Sequence, residues 1–193
     1  MIAAIVLAAG QAVRFGRCKQ LIRLGDKMLL EHVLANVNAS TVNDTIVVLG
    51  AHAEEIRRRV KFADERIVLN PDYAEGMSTS IHAGLRALEP ATDAAMIVLA
   101  DQPFVTPQTL NLLVDVYRDR KSAAVIPTYR GKRGHPVIVD KSLFAEMLAL
   151  RGDAGFRTIF AKHPDDVVTV AVEDAGIVTD IDTREDFDDL APR

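Results

Sequence analysis

The chain has 193 residues, enough for one domain with a substantial buried core. Hydrophobic residues make up 49% and charged residues 26%, the balance of an ordinary globular chain rather than a disordered one. A net charge of −4 with no long basic run argues against a general nucleic-acid binder, and Cys18, the only cysteine, rules out an internal disulfide and a cysteine metal cluster.

Short apolar runs rich in Val and Ile recur along the chain. The first, Ile2 to Ala8, lacks a basic leader, and the apolar stretch to Ala9 is too short to span a membrane, so a cytoplasmic protein is expected. Thr45 to Leu49, Arg66 to Leu69 and Ala94 to Ala100 read as further strands. Continuous apolarity without alternation marks strands buried on both faces. Helical patterns lie between and after them, at Leu29 to Val37, Ala53 to Val60, Met77 to Leu88 and Pro107 to Tyr117. This alternation predicts an α/β fold with a doubly wound, mostly parallel sheet, whose ligands bind beyond the carboxyl ends of the strands.

The second half is less regular. Ala123 to Pro127 and Pro136 to Val139 read as short strands around Tyr129–His135, a small ribbon with a basic tip over the site. Lys141 to Leu150, Phe156 to Lys162 and Thr183 to Leu190 read as helices, and Val167 to Val172 as a strand. With no repeat and no linker, residues 1–193 form one domain in this reading.

Six segments can carry chemistry. Leu7-Ala8-Ala9-Gly10 opens the loop after the first strand, and small residues there let the backbone approach a ligand. Arg14 offers a planar fork to phosphate and Lys19 a mobile point charge; solvated basic residues on an ordinary turn are the plain alternative. Gly76-Met77-Ser78-Thr79-Ser80 opens a helix, where hydroxyls bind an anion or, more simply, cap the helix. Asp101 ends the most apolar strand, where a carboxylate suits a magnesium ion or simply a turn before Pro103. Arg130 to His135 holds three arginine or lysine cations and two glycines, fit to grip an anion or to be solvated, and no second histidine sits at zinc-ligand spacing. Asp182 and Glu185 match a capping box, and the glycines of Arg151–Arg157 mark a tight connection in which Asp153 and Arg157 face either the site or solvent.

Together the motifs are more specific. LAAGQAVRFG followed by Lys19-Gln20-Leu21, NPDYAEGMSTSI from Asn70, LADQP from Leu99, RGHPV from Arg133, GDAGFR from Gly152 and DIDTRED from Asp180 span nearly the whole chain. In these the chain resembles the molybdenum cofactor cytidylyltransferases, among the MobA-like nucleotidyltransferases. Many relatives have Ser in place of Ala12, Pro in place of Cys18 and a smaller residue in place of Phe156.

The resemblance implies a Mg2+-dependent transfer of CMP from CTP to the terminal phosphate of molybdenum-loaded molybdopterin, with release of pyrophosphate. It implies catalytic roles for Arg14, Lys19 and Asp101, with Asp101 and Asp182 as metal ligands. Leu7, Ala8, Ala9, Gly10, Asn70, Gly76, Ser78 and Ser80 would surround the nucleotide, and Arg133, His135, Asp153 and Arg157 the acceptor. A molybdenum hydroxylase is the implied downstream partner; neither nucleic acid nor membrane is expected to bind. The rivals are transfer of GMP, transfer to another phosphorylated acceptor, and a nonenzymatic carrier of the molybdenum cofactor. LAAG, where guanine-specific relatives have LAGG, favours CTP.

Overall fold

The computed structural model describes residues 1–11, 18–152, 156–183 and 185–187, without the side chain of Arg157. Ile2–Ala8 forms β1. A two-residue hairpin, β2 (Arg23–Leu24) and β3 (Lys27–Met28), turns the chain into α1 (Leu29–Asn38). There follow β4 (Asp44–Leu49), α2 (Ala53–Arg59), β5 (Arg66–Leu69), α3 (Met77–Arg86), β6 (Ala94–Leu99) and α4 (Pro107–Arg120). The second half runs β7 (Ala124–Tyr129), β8 (Lys132–Arg133), β9 (Val137–Asp140), α5 (Phe144–Leu148), α6 (Arg157–Phe160) and β10 (Val167–Ala171).

The main sheet has the order β10-β7-β9-β6-β1-β4-β5, with β8 paired to β7. Its centre is parallel: Ile5 lies opposite Ile46 on one side and Ile97 on the other. The sheet is doubly wound and mostly parallel, but β9 enters antiparallel between β6 and β7. Alternate residues of β1 serve both faces. Ala4, Val6 and Ala8 pack toward the core that holds Leu30, Leu34, Ile56 and Leu113, while Ile5 packs toward Ile81, Met147 and Ile159. That two-sided burial is why the central strands read as unbroken apolar runs.

The predicted strands and helices of the first half are present within a few residues. In the second half, Lys141 to Leu150 is not one helix: a 3-10 turn at Lys141–Leu143 precedes the short α5. The expected Phe156–Lys162 helix shortens to α6, and of Thr183–Leu190 the described part is helical only at 185–187. The ribbon is real but tighter than expected. β7 and β8 pair antiparallel around Arg130 and Gly131, both at positive φ, as a two-residue hairpin turn requires. Arg130 lies over the Tyr129 ring.

Candidate active site

The carboxyl ends of β1 and β6 open onto a cleft of about 510 Å³. Leu7, Ala9, Gly10 and Gln11 line one wall, Tyr73, Ala74, Gly76, Met77 and Ser80 the other. Lys19, Gln20, Leu99, Ala100, Asp101 and Asp182 complete it.

The described start of the loop after β1 is tied down by Gln20, a buried side chain on the 3-10 turn Lys19–Leu21. Its amide nitrogen donates to the carbonyls of Ala8 (3.0 Å) and Gly10 (3.4 Å), and its carbonyl accepts from the Cys18 thiol. Lys19 is thereby placed on the cleft floor, where its ammonium lies 2.9 Å from Asp101 Oδ2 and 2.8 Å from Asp182 Oδ1. Burial by itself would lower the Lys19 pKa, but the two carboxylates outweigh it and hold it above its ordinary value. Asp101 Oδ1 is buried and, among the described residues, has no hydrogen-bond partner.

The opposite wall depends on a close approach. Gly76 precedes α3 with φ 109°, a conformation that only glycine adopts readily, and a Cβ there would come within 2.5 Å of the Gly152 carbonyl carbon. The Ser78 amide donates to the Gly152 carbonyl, so α3 is capped by a neighbouring loop rather than by a side chain of its own. Asn70 is buried; its amide donates to the hydroxyls of Thr79 and Ser80 and fixes this turn.

Asp182 arrives on a segment without regular strand, tied down at several points. Asp174 accepts from the Thr106 amide and from the hydroxyls of Thr106 and Thr109. Gln102, 5% exposed, donates to the Ile177 carbonyl (3.2 Å) and to Asp180 (2.7 Å). The Ile181 amide donates to the Asp101 carbonyl. The expected capping pair of Asp182 and Glu185 is replaced, one residue on, by Thr183 and Asp186: the Thr183 hydroxyl accepts from the Asp186 amide and Asp186 from the amides of Asp182 and Thr183. The shift leaves the Asp182 side chain to meet Lys19.

Of the predicted site residues, Leu7, Ala9, Gly10, Lys19, Gly76, Ser80, Asp101 and Asp182 therefore meet at one cleft. Ala8 is buried beneath it, and Asn70 and Ser78 lie behind the wall, on an adjoining pocket. Arg133 is exposed on β8 and does not line the cleft. His135 lies apart from the lining as well, with its ring 6.3 Å from that of Phe156 and its Nε2 buried without a partner among the described residues. Burial depresses its pKa, against the pull of Asp101, so at neutral pH it offers a hydrogen bond and no positive charge. Arg14, Asp153 and the side chain of Arg157 fall outside the described residues. Gln20, Tyr73, Ala74, Met77 and Gln102 were not singled out from the sequence, although each lies inside a quoted motif.

A divalent cation fits this floor. Two carboxylates already converge on a cationic nitrogen, and one buried carboxylate oxygen lacks a partner among the described residues. Among the described residues no three acidic, histidine or cysteine side chains could hold a metal together, so an ion here would need oxygens from a substrate as well.

A loop after β1, a glycine-led helix opposite and a lysine between two aspartates agree with a match of residues 4–167 to the MobA-like NTP transferase domain. The chain belongs to that family. It is 28% identical to the molybdenum cofactor cytidylyltransferase of Escherichia coli, over 95% of this chain and 92% of the relative. It is 30% identical to the nicotine blue oxidoreductase of Paenarthrobacter nicotinovorans, over 94% and 92%. Among solved structures, Rv0371c of Mycobacterium tuberculosis superposes with a TM-score of 0.90 at 28% identity, covering 98% of this chain and 96% of that one. A complex of Rv0371c with manganese superposes at 0.85 and 27% identity, covering 98% and 97%. As a member of the MobA-like family, the chain is a nucleotidyltransferase. No helix among its described residues is long and apolar enough to cross a membrane.

Proposed function

We propose that this chain transfers CMP from CTP to the terminal phosphate of molybdenum-loaded molybdopterin, in the cytoplasm, and supplies the product to a molybdenum hydroxylase. Residues 1–193 act as a single domain. The observation that carries the reading is the Lys19 ammonium held between Asp101 and Asp182 on the floor of a cleft flanked by the Leu7–Gln11 loop and the Gly76 turn.

An acceptor phosphate oxygen attacks the α-phosphorus, the bond from that phosphorus to the bridging oxygen breaks, and pyrophosphate departs with the electron pair. Such a reaction needs in-line placement and charge neutralisation more than a protein nucleophile. Lys19 supplies charge toward the phosphates, and Arg14 is assigned the same task. Asp101 and Asp182 would hold Mg2+, which when bound screens the triphosphate charge and polarises the α-phosphorus. Gly10 leaves the backbone accessible on one wall, and Gly76 lets the other pack closely on Gly152. The acceptor is already a phosphate dianion, so a neutral His135 suffices for orientation, and Arg133, Asp153 and Arg157 are assigned to the acceptor on the motifs alone.

The preference for CTP over GTP rests on Ala9. Its methyl group is packed against Gly50, where an added Cβ would meet it at 2.9 Å, and the LAAG motif, where guanine-specific relatives have LAGG, supports the preference. The manganese complex of Rv0371c supports a divalent ion, and the cytidylyltransferase of Escherichia coli supports the acceptor. Pyrophosphate release from each of the four triphosphates, with and without molybdenum-loaded molybdopterin, tests the whole reading. Release is expected from CTP alone among the four, and only with the acceptor. Equal use of GTP would overturn the base assignment. Oxidoreductase activity with no pyrophosphate from any triphosphate would instead align the chain with its Paenarthrobacter relative.

A further inference from the structure

The cleft is unequally charged along its length. The carboxyl edge of the sheet runs in the order β6, β1, β4, β5, and the loops that leave it carry Asp101, Gly10, Gly50 and Tyr73 in turn. Among the described residues, the charged lining is Lys19, Asp101 and Asp182, joined to one another at the β6 end. The lining from the β5 side, Tyr73, Ala74 and Met77, is uncharged, and Tyr73 packs on the core cluster that contains Ala9. Two strand spacings, roughly 10 Å, separate the β6 and β4 positions. A nucleotide with its phosphates at the charged end therefore points its base toward Gly50 and Tyr73.

The two walls meet closely there. A Cβ built on Gly50 would come within 2.6 Å of the Tyr73 Cβ, 2.8 Å of its Cγ and 2.9 Å of the Ala9 Cβ. Tyr73 thus lies across the bare backbone of Gly50 beside the Ala9 methyl group. Both neighbours are fixed from behind. The Ala51 amide donates to the Ala9 carbonyl at 3.0 Å. Tyr73 opens the 3-10 turn Tyr73–Glu75, and the residues before it are braced by the buried Asn70. The Asn70 amide donates to the Leu49 carbonyl at 2.7 Å, its Oδ1 accepts from the Asp72 amide at 3.0 Å, and the Thr79 hydroxyl donates to the Asp72 carbonyl at 2.9 Å.

We propose that Tyr73 is a specificity-determining residue: its ring, seated over Gly50 against Ala9, closes the base end of the cleft and leaves room for one ring and not two. A pyrimidine rests against this wall, whereas the second ring of a purine overlaps it, and a clash built against the wrong partner is an effective source of discrimination. Gly50 belongs to the device, since any side chain there would push the tyrosine out of place. The role of Tyr73 rests on the transfer from CTP proposed above and is independent of the metal and of the acceptor.

The test is calorimetric titration of the full chain with CTP and with GTP, each in the presence of Mg2+, for wild type, Tyr73→Phe and Tyr73→Ala. Wild type is expected to bind CTP at least about tenfold more tightly than GTP, the lower end for discrimination by a shaped pocket. Tyr73→Phe keeps the ring and is expected to keep the preference. Tyr73→Ala is expected to lose most of it by gaining affinity for GTP, a gain that a merely structural role would not produce. A wild-type preference that survives in Tyr73→Ala, that disappears through weaker CTP binding alone, or that is lost in Tyr73→Phe as well overturns the role of Tyr73 and leaves the CTP reading standing. Wild type that binds GTP as tightly as CTP, or binds neither, overturns the CTP reading and the role of Tyr73 with it. Should circular dichroism show Tyr73→Ala unfolded, wild type decides: the H5 and H6 protons of bound CTP must show nuclear Overhauser effects to the Tyr73 ring, and their absence overturns the proposal.

Discussion

The two carboxylates on the cleft floor are delivered by opposite means. Asp101 follows β6, a strand whose register is shared with β1 through six residue pairs and whose neighbours are almost all buried. Asp182 follows a segment with no strand pairing, held by the side chains of Asp174 and Gln102, by backbone bonds to Asp101 and from His135, and by the buried side chains of Ile177 and Ile181. Position set by a sheet is shared over many contacts and survives the loss of any one. Position set by ties depends on individual hydrogen bonds. Substitutions remote from the chemistry should therefore matter more on the Asp182 side.

The largest expected effect tests the carboxylate on the sheet side directly. Asp101→Asn should lower kcat by about two to three orders of magnitude, the range for a single electrostatic contributor, while the melting temperature stays within a few degrees. Activity within a few-fold of wild type would remove Asp101 from the metal site.

Next comes the glycine wall, which also belongs to the regular half. Gly76→Ala forces a positive φ on alanine and drives a methyl group into Gly152, for a loss of about 2–3 kcal/mol and roughly 5–10 °C in melting temperature. Gly10→Ala is the control, since a Cβ there meets nothing within 4 Å. Equal melting temperatures for the two variants would show that the Gly76–Gly152 contact gives way.

The tied side is broken at Gln102. Gln102→Met keeps the volume and removes both donors, so the Asp182 segment loses two of its ties while the sheet stays intact. Metal affinity should fall about 10- to 100-fold, as when the groups that orient metal ligands are lost. Turnover that falls while metal affinity is unchanged would place the role of Gln102 elsewhere.

The smallest effect is pH-dependent and sits at the far end of the same segment. Burial works to raise the Asp174 pKa, but hydrogen bonds from Thr106, Thr109 and Gly176 outweigh it and hold it below its ordinary 3.8. A depressed carboxyl contributes stability above that ordinary value and loses it as pH falls through the folded one. Thermal melts from pH 7 down to pH 3 should therefore show Asp174→Asn about 1 kcal/mol less stable at pH 7, with the difference shrinking at the acid end. A difference constant across the range would mean that the charge of Asp174 does not matter.

How much could be read from residues alone follows the same division. β1, β4 and β6 were legible because burial on both faces writes an unbroken apolar run, and Asp101 because it ends the most apolar of them. Lys19 was legible as a charge, but its partners were not, since Asp182 lies 163 positions away and meets it only through the tied segment. The capping box was misplaced by one residue because Asp182-Glu185 and Thr183-Asp186 fit the same spacing, and the tertiary contact of Asp182 with Lys19 is not visible in the sequence. Ser78 and Asn70 looked like ligand groups because hydroxyls and amides at a helix start serve capping, binding and bracing equally well. The antiparallel β9 left no signal, since buried parallel and antiparallel strands this short have the same apolar composition.

The turn at Arg130 and Gly131 has a use of its own. A Cβ built on Gly131 meets nothing within 4 Å, and the two flanking strands are already paired without help from the tip. Such a tip is where a chain tolerates being opened and relinked. A short affinity peptide spliced between these two residues would give a handle for immobilising the enzyme, with both chain ends left untouched.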